Sequence, residues 1–288
     1  MTLLRGDATL APALPPGKFI SKDVLRSVML STVLAVSFTL VLVIGVPALS
    51  WASARTSEIH SISRLSLYAN AVFSQWILTL LGAGVVLAAD RQVFRRGFTS
   101  AGLGVTLTWG TGVALAALVV VAVILWCQRQ GWLRPESGLT YLLLPETRTE
   151  KLWGALIVSP TAAFCEEFLF RGFLLMQMHA WLGSLAWAWI ASSVAFGLAH
   201  FYQRWSGMVR AGVLGALLAW PVVCLGSLYP AMLAHWIVDA VAMLWLGRWL
   251  IRRDAAPAPG FYWAHHLHLS CLPHRLAAEK SRFQGEKA

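Results

Sequence analysis

The chain has 288 residues, of which 58% are hydrophobic and only 12% charged, with a mean hydropathy of +0.64. A soluble domain carries about 25% charged residues, so this one has roughly half the charge that a water-facing surface needs. A soluble globular enzyme, a disordered chain and a disulfide-built secreted module are excluded. The composition is that of an integral membrane protein.

The net charge of +10 does not point to nucleic acid. The basic residues lie between and beyond long apolar runs, as in the clusters Arg91, Arg95, Arg96 and Arg248, Arg252, Arg253. Lys and Arg flanking membrane spans answer to the positive-inside bias and to anionic headgroups. The expected partner is therefore the lipid bilayer. The four cysteines (Cys127, Cys165, Cys224, Cys271) have no paired spacing, so neither a zinc knuckle nor a disulfide framework follows. The scattered basic residues and prolines before the first apolar run, and the length of that run, do not read as a cleavable signal.

A span needs about 20 mostly apolar residues. By that measure residues 1–22 form a flexible tail, broken by Pro12, Pro15 and Pro16. Spans are expected near 26–50, 67–89, 101–126, 152–178, 182–200, 208–228 and 229–250. The fold class is an all-α polytopic transmembrane helical bundle of about seven to eight spans. Residues 23–150 hold the N-terminal helices and a long link, 151–250 a helical core, and 251–288 a basic tail. The link at 127–151, with Trp132, Leu133 and the run Tyr141–Leu144, reads as an interfacial helix or a free loop. Pro221 is a candidate kink in the sixth span. Both arginine clusters look cytoplasmic, yet five expected spans separate them. Either one run is re-entrant or split, or one cluster breaks the bias.

The informative residues interrupt the apolar runs. Glu166, Glu167 and Arg171 fall in the fourth span, His200 closes the fifth as Phe196-Gly-Leu-Ala-His200, and His235 and Asp239 lie in the seventh. An ionisable group at a helix centre costs roughly 2.5–3.5 kcal/mol on the insertion scale. Discounting for histidine and for pairing, the set opposes insertion by roughly 5–10 kcal/mol. Loose structural tolerance does not account for a term of that size.

Helical spacing sorts these groups. Glu167 and Arg171 are four apart and share a face, as are His235 and Asp239, whereas Glu166 is turned about 100° from Glu167. Glu166, His200, His235 and Asp239 can therefore point into one polar pocket, with Glu167–Arg171 as a neutralised brace. Two mechanisms fit. In one, Glu166 is the general base on a water that His200 helps to hold, while His235 and Asp239 stabilise the oxyanion formed at a peptide carbonyl. In the other, zinc held by Glu166, His200 and His235 activates the water.

Glu166-Glu-Phe-Leu-Phe-Arg-Gly172 resembles the EExxxR motif of the CPBP family, the CAAX proteases and bacteriocin-processing enzymes also called the Abi or Rce1-like family. Phe196–His200 resembles its FxxxH motif and His235–Asp239 its HxxxN/D motif, over residues from about 150 to 250. The resemblance implies an intramembrane endopeptidase acting on a membrane-anchored, in some members prenylated, substrate. It assigns Glu166 as base, His200 as its partner at the water and His235 as oxyanion donor, with Glu167, Arg171 and Phe196 in support. Asp239 stands where the prenyl-protein proteases have Asn. A carboxylate cannot donate to an oxyanion, so Asp239 either carries a proton, orients His235, or supports a zinc ion. The expected setting is the inner membrane of a bacterial cell. The other readings of the same pocket are a non-proteolytic scaffold or immunity protein, and a proton-coupled transporter, against which the lack of an inverted repeat counts.

Four further features are expected to be structural. Cys165 lies beside Glu166 but about 100° round the helix from it. His265, His266, His268, Cys271 and His274 are metal-friendly types without a fixing spacing. The stripe Gly207, Ala211, Gly215, Ala219 suits close packing within the bundle, and Trp residues near the span ends suit the interfacial belt.

Overall fold

The computed structural model describes residues 22–55, 62–88, 98–134 and 138–246. The arginine clusters and the histidine-rich tail lie outside the described residues, as do 1–21 and 247–288. The described residues form an all-α bundle of eight helices, and no strand occurs among them. The helices are α1 (22–53), α2 (Arg64–Ala88), α3 (Leu103–Arg129), α4 (Gly138–Leu142), α5 (Arg148–Leu182), α6 (Leu185–Ala199), α7 (Arg204–Leu225) and α8 (229–246). Of these α1, α2, α3, α5 and α7 are long and apolar enough to cross a membrane. Helix α6, with 15 residues, is shorter, rising about 22 Å against a hydrocarbon core of about 30 Å. The seven expected apolar runs thus coincide with seven helices, and the chain is an integral membrane protein.

Helix α5 is the centre. Every residue from Glu167 to Gln177 is buried, the pattern of a helix enclosed on all sides. Around it α1, α2, α6 and α8 present one face inward and leave large apolar side chains such as Leu80, Leu81, Trp187 and Ile190 outward, where lipid would lie. Small residues set the closest approaches. A Cβ on Gly197 of α6 would come within 2.8 Å of the Met208 carbonyl oxygen and 3.2 Å of Gly212 Cα on α7, so the two backbones touch. The expected small-residue stripe is buried inside the molecule, with Gly207, Ala211, Gly215 and Ala219 all turned to the bundle.

Two prolines shape the helices without ending them. Pro47 and Pro160 each follow a π-helical turn, Val41–Gly45 and Gly154–Val158. Proline removes the N–H that would reach four residues back and crowds that carbonyl, and a widened turn relieves both. Ser159 Oγ then donates to the Gly154 carbonyl at 2.7 Å. Pro221 is buried within α7, which continues through it from Arg204 to Leu225.

The link before α5 is tied to the start of α2. Arg64 Nε donates to the Leu142 carbonyl (2.9 Å), its guanidinium pairs with Glu146 (2.8 Å), and Tyr68 Oη donates to the Leu143 carbonyl (2.8 Å). Thr147 caps α5 through a reciprocal box with Glu150. Within this link the short helix α4 takes in Tyr141 and Leu142 of the Tyr141–Leu144 run.

Candidate active site

The site is built on a third π-helical segment, Glu167–Leu174, which begins immediately after Glu166. Such segments are uncommon and recur at functional sites. Here the wider turn carries Glu167 and Arg171 into the centre of the bundle, both with no exposed surface. Arg171 Nη1 lies 3.1 Å from Glu167 Oε1, and Arg171 Nη2 donates to the Gly215 carbonyl at 3.1 Å. The guanidinium carbon stands 4.2 Å from the centroid of the Phe196 ring. Gly215 has no side chain to keep either group away, since a Cβ there would meet Phe196 at 3.1 Å and Arg171 at 3.4 Å.

Glu167 has a second partner that the spacing within one helix does not reveal. His235 Nδ1 on α8 lies 2.8 Å from the same Glu167 Oε1. A carboxylate accepts, so Nδ1 carries the hydrogen and donates it. The ring is thereby fixed with Nε2 turned toward Glu166 and Asp239. Nε2 lies 3.8 Å from Glu166 Oε2 and 3.5 Å from Asp239 Oδ2, both beyond a good direct hydrogen bond.

Glu166 is reached from a different side. Its Oε1 accepts a hydrogen bond from Gln75 Nε2 of α2 at 2.8 Å. Its Oε2 is left facing the His235 ring. The Glu166 side chain is 18% exposed and that of Asp239 35%, so the polar cluster opens outward on this side while Glu167 closes it at depth. The charged and titratable groups acting on the Glu166 carboxylate are His200, His235, Asp239 and Arg171.

His200 ends α6. Its Nδ1 lies 2.8 Å from the Phe196 carbonyl oxygen, one turn back. A carbonyl only accepts, so this nitrogen carries the hydrogen and Nε2 of the neutral ring is left as an acceptor. Phe196 packs against both histidines, its centroid 4.7 Å from that of His200 and 6.2 Å from that of His235. The one aromatic ring thus touches the buried Arg171 and both imidazoles.

The residues singled out from the sequence (Glu166, Glu167, Arg171, Phe196, His200, His235 and Asp239) form one contiguous cluster. Gln75 is an addition to them, and its signal was an amide in the middle of an otherwise apolar run. The side chains do not fit a metal ion. Among the described residues, no three His, Cys, Asp or Glu side chains come together as a ligand set, Glu166, His200 and His235 included. Glu167 also occupies the Nδ1 side of His235, and Gln75 one oxygen of Glu166. Cys165 is fully buried and lies beside Thr79 of α2.

A helical bundle with membrane-length apolar helices and a cluster of carboxylates and imidazoles inside it defines the class: an integral membrane protein with a polar site. Residues 148–241 match the family model of the type II CAAX prenyl endopeptidase Rce1-like proteins, about a third of the chain. The match runs from the start of α5 into α8 and contains all three motifs, in agreement with the CPBP resemblance. Over this segment the chain is similar to a CAAX-type protease family. Helices α1 to α3, and Gln75 with them, lie outside the matched residues. No curated protein and no solved structure shows a significant match to the chain.

Proposed function

We propose that the protein is an intramembrane endopeptidase that hydrolyses a peptide bond of a membrane-anchored, lipidated substrate with a glutamate-activated water. The observation that carries this reading is the pairing of a fixed imidazole with a carboxylate oxygen left free. Glu167 fixes His235, and His235 Nε2 faces Glu166 Oε2 across 3.8 Å. Neither group uses the other up in a direct bond.

The chemistry follows from who can donate. A water between Glu166 Oε2 and His200 Nε2 meets two acceptors, one for each hydrogen, and its lone pair is left for a carbonyl carbon. As the water oxygen bonds to that carbon, its proton passes to Glu166 Oε2. The carbonyl oxygen becomes an oxyanion, which His235 Nε2–H stabilises. This role requires a proton on each ring nitrogen of His235, and the carboxylates of Glu167 and Asp239 balance the resulting charge. When the C–N bond breaks, Glu166 returns its proton to the leaving nitrogen, so the products are an amine and a carboxylic acid, and the acid then loses the water's second proton to solvent to become a carboxylate. Asp239, near the same Nε2, holds the ring in the carboxylate-lined position without donating.

The test is cleavage of an internally quenched, farnesylated CAAX-box peptide by purified protein in liposomes, comparing the wild type with Glu166→Gln. The wild type is expected to cleave and the variant to lose at least 100-fold in rate, the scale of general-base catalysis (about 10²–10⁴). Equal rates for the two proteins, or no cleavage by the wild type, would overturn the reading.

A further inference from the structure

We infer that Gln75, on a helix outside the family-matched segment, is a positioning residue that selects which oxygen of Glu166 serves as the base. The inference rests on the reading of Glu166 just given and adds a residue to it. Gln75 Nε2 donates to Glu166 Oε1 at 2.8 Å. An ionised carboxylate offers only acceptors, so the amide presents its NH2 and not its oxygen. One carboxylate oxygen is thereby occupied by a charge-assisted bond. The other, Oε2, is the one that lies toward His235 Nε2.

The placement of Gln75 is held from both ends of α2. Tyr68, two turns before it, anchors the helix through the Leu143 carbonyl, with Arg64 on Leu142 and Glu146. Gly82, two turns after it, lies against Phe38 and Leu169. A Cβ there would meet the Phe38 ring at 2.9 Å and Leu169 at 3.2 Å, so α2 is drawn onto the π segment of α5. Tyr68, Gln75 and Gly82 are spaced by seven and fall on one face of the helix, on which Gln75 and Gly82 meet α5 and Tyr68 meets the link before it. The remaining amide oxygen, Gln75 Oε1, is buried and has no hydrogen-bond partner. A side chain chosen for packing alone would not leave a polar atom in that state, whereas one required to hold a carboxylate accepts that cost.

Packing and positioning are separable because Thr79 lies one turn further along α2, buried beside Cys165. The experiment measures kcat and KM on the quenched farnesylated peptide, together with thermal unfolding in detergent, for Gln75→Leu, Gln75→Met, Thr79→Val and Glu166→Gln. Gln75→Met keeps the length of the side chain and loses only the amide. Both Gln75 variants are expected to lower kcat about 10- to 100-fold, the range for losing a hydrogen bond to a charged group, with KM within about twofold and unfolding unchanged. Thr79→Val is expected to keep wild-type kcat. Wild-type kcat in the Gln75 variants while Glu166→Gln is inactive overturns this inference alone. An equal loss in Thr79→Val also overturns it, because the effect would then be one of helix packing. An active Glu166→Gln overturns the underlying mechanism as well.

Discussion

Glu167 Oε1 is shared by two cationic or donor groups from different parts of the bundle, Arg171 Nη1 at 3.1 Å and His235 Nδ1 at 2.8 Å. The second glutamate of the motif thus links Arg171 to the His235 imidazole. Its neighbour Glu166, one residue earlier and about 100° round the helix, faces the other nitrogen of the same imidazole and accepts from Gln75.

Glu167→Gln is expected to cost stability and activity together. It leaves the fully buried Arg171 without a counter-charge, and breaking a buried pair by removing one partner costs about 3–5 kcal/mol. Adding Arg171→Met should recover much of the unfolding temperature, since an apolar pair of similar volume replaces the ions. It should not recover cleavage, because His235 has still lost its carboxylate. Thermal unfolding and cleavage of the single and double variants check this.

His200→Ala is expected to lower kcat about 100-fold, at the low end of the range for acid–base partners, with little change in unfolding temperature. His200 caps a helix end and is only half-buried, and its visible backbone tie, to Phe196, satisfies a carbonyl that can turn to other donors. A large loss of stability in this variant would contradict the placement of His200 beside the water.

Asp239→Asn is expected to keep at least wild-type kcat. The change removes a carboxylate 3.5 Å from His235 Nε2 and supplies an amide that can donate to an oxyanion. Asp239→Ala removes both possibilities and should be slower than Asp239→Asn. A rate for Asp239→Asn well below that of the wild type would show that the negative charge at this position is itself required.

Chelation is expected to leave cleavage unchanged. Among the described residues no three metal-ligating side chains converge, and Glu167 and Gln75 engage groups that a metal would need. Activity lost to a chelator and restored by zinc would contradict the mechanism written here.

The sequence made the scaffold legible because apolar runs of span length can only be helices, and seven such runs appear as seven helices. It made most of the site legible for the same reason, since ionisable groups inside those runs are costly and stand out. Two relationships were hidden. Pairs such as Glu167–Arg171 repeat at four residues, but the contact from Glu167 to His235 crosses 68 positions and leaves no spacing to find. Gln75 escaped a search for ionisable groups because its amide is neutral. It joins the site only through the way Gly82 and Tyr68 seat α2 on α5. The π segment was equally invisible, since a helical periodicity was assumed throughout.

The shortest route to the central claim is the catalytic rate of Glu166→Gln against wild type in liposomes, on the quenched farnesylated peptide, with unfolding followed on the same samples. A folded variant slowed by at least 100-fold is the result required by a carboxylate that takes a proton from water. A folded variant that cleaves at the wild-type rate would contradict it.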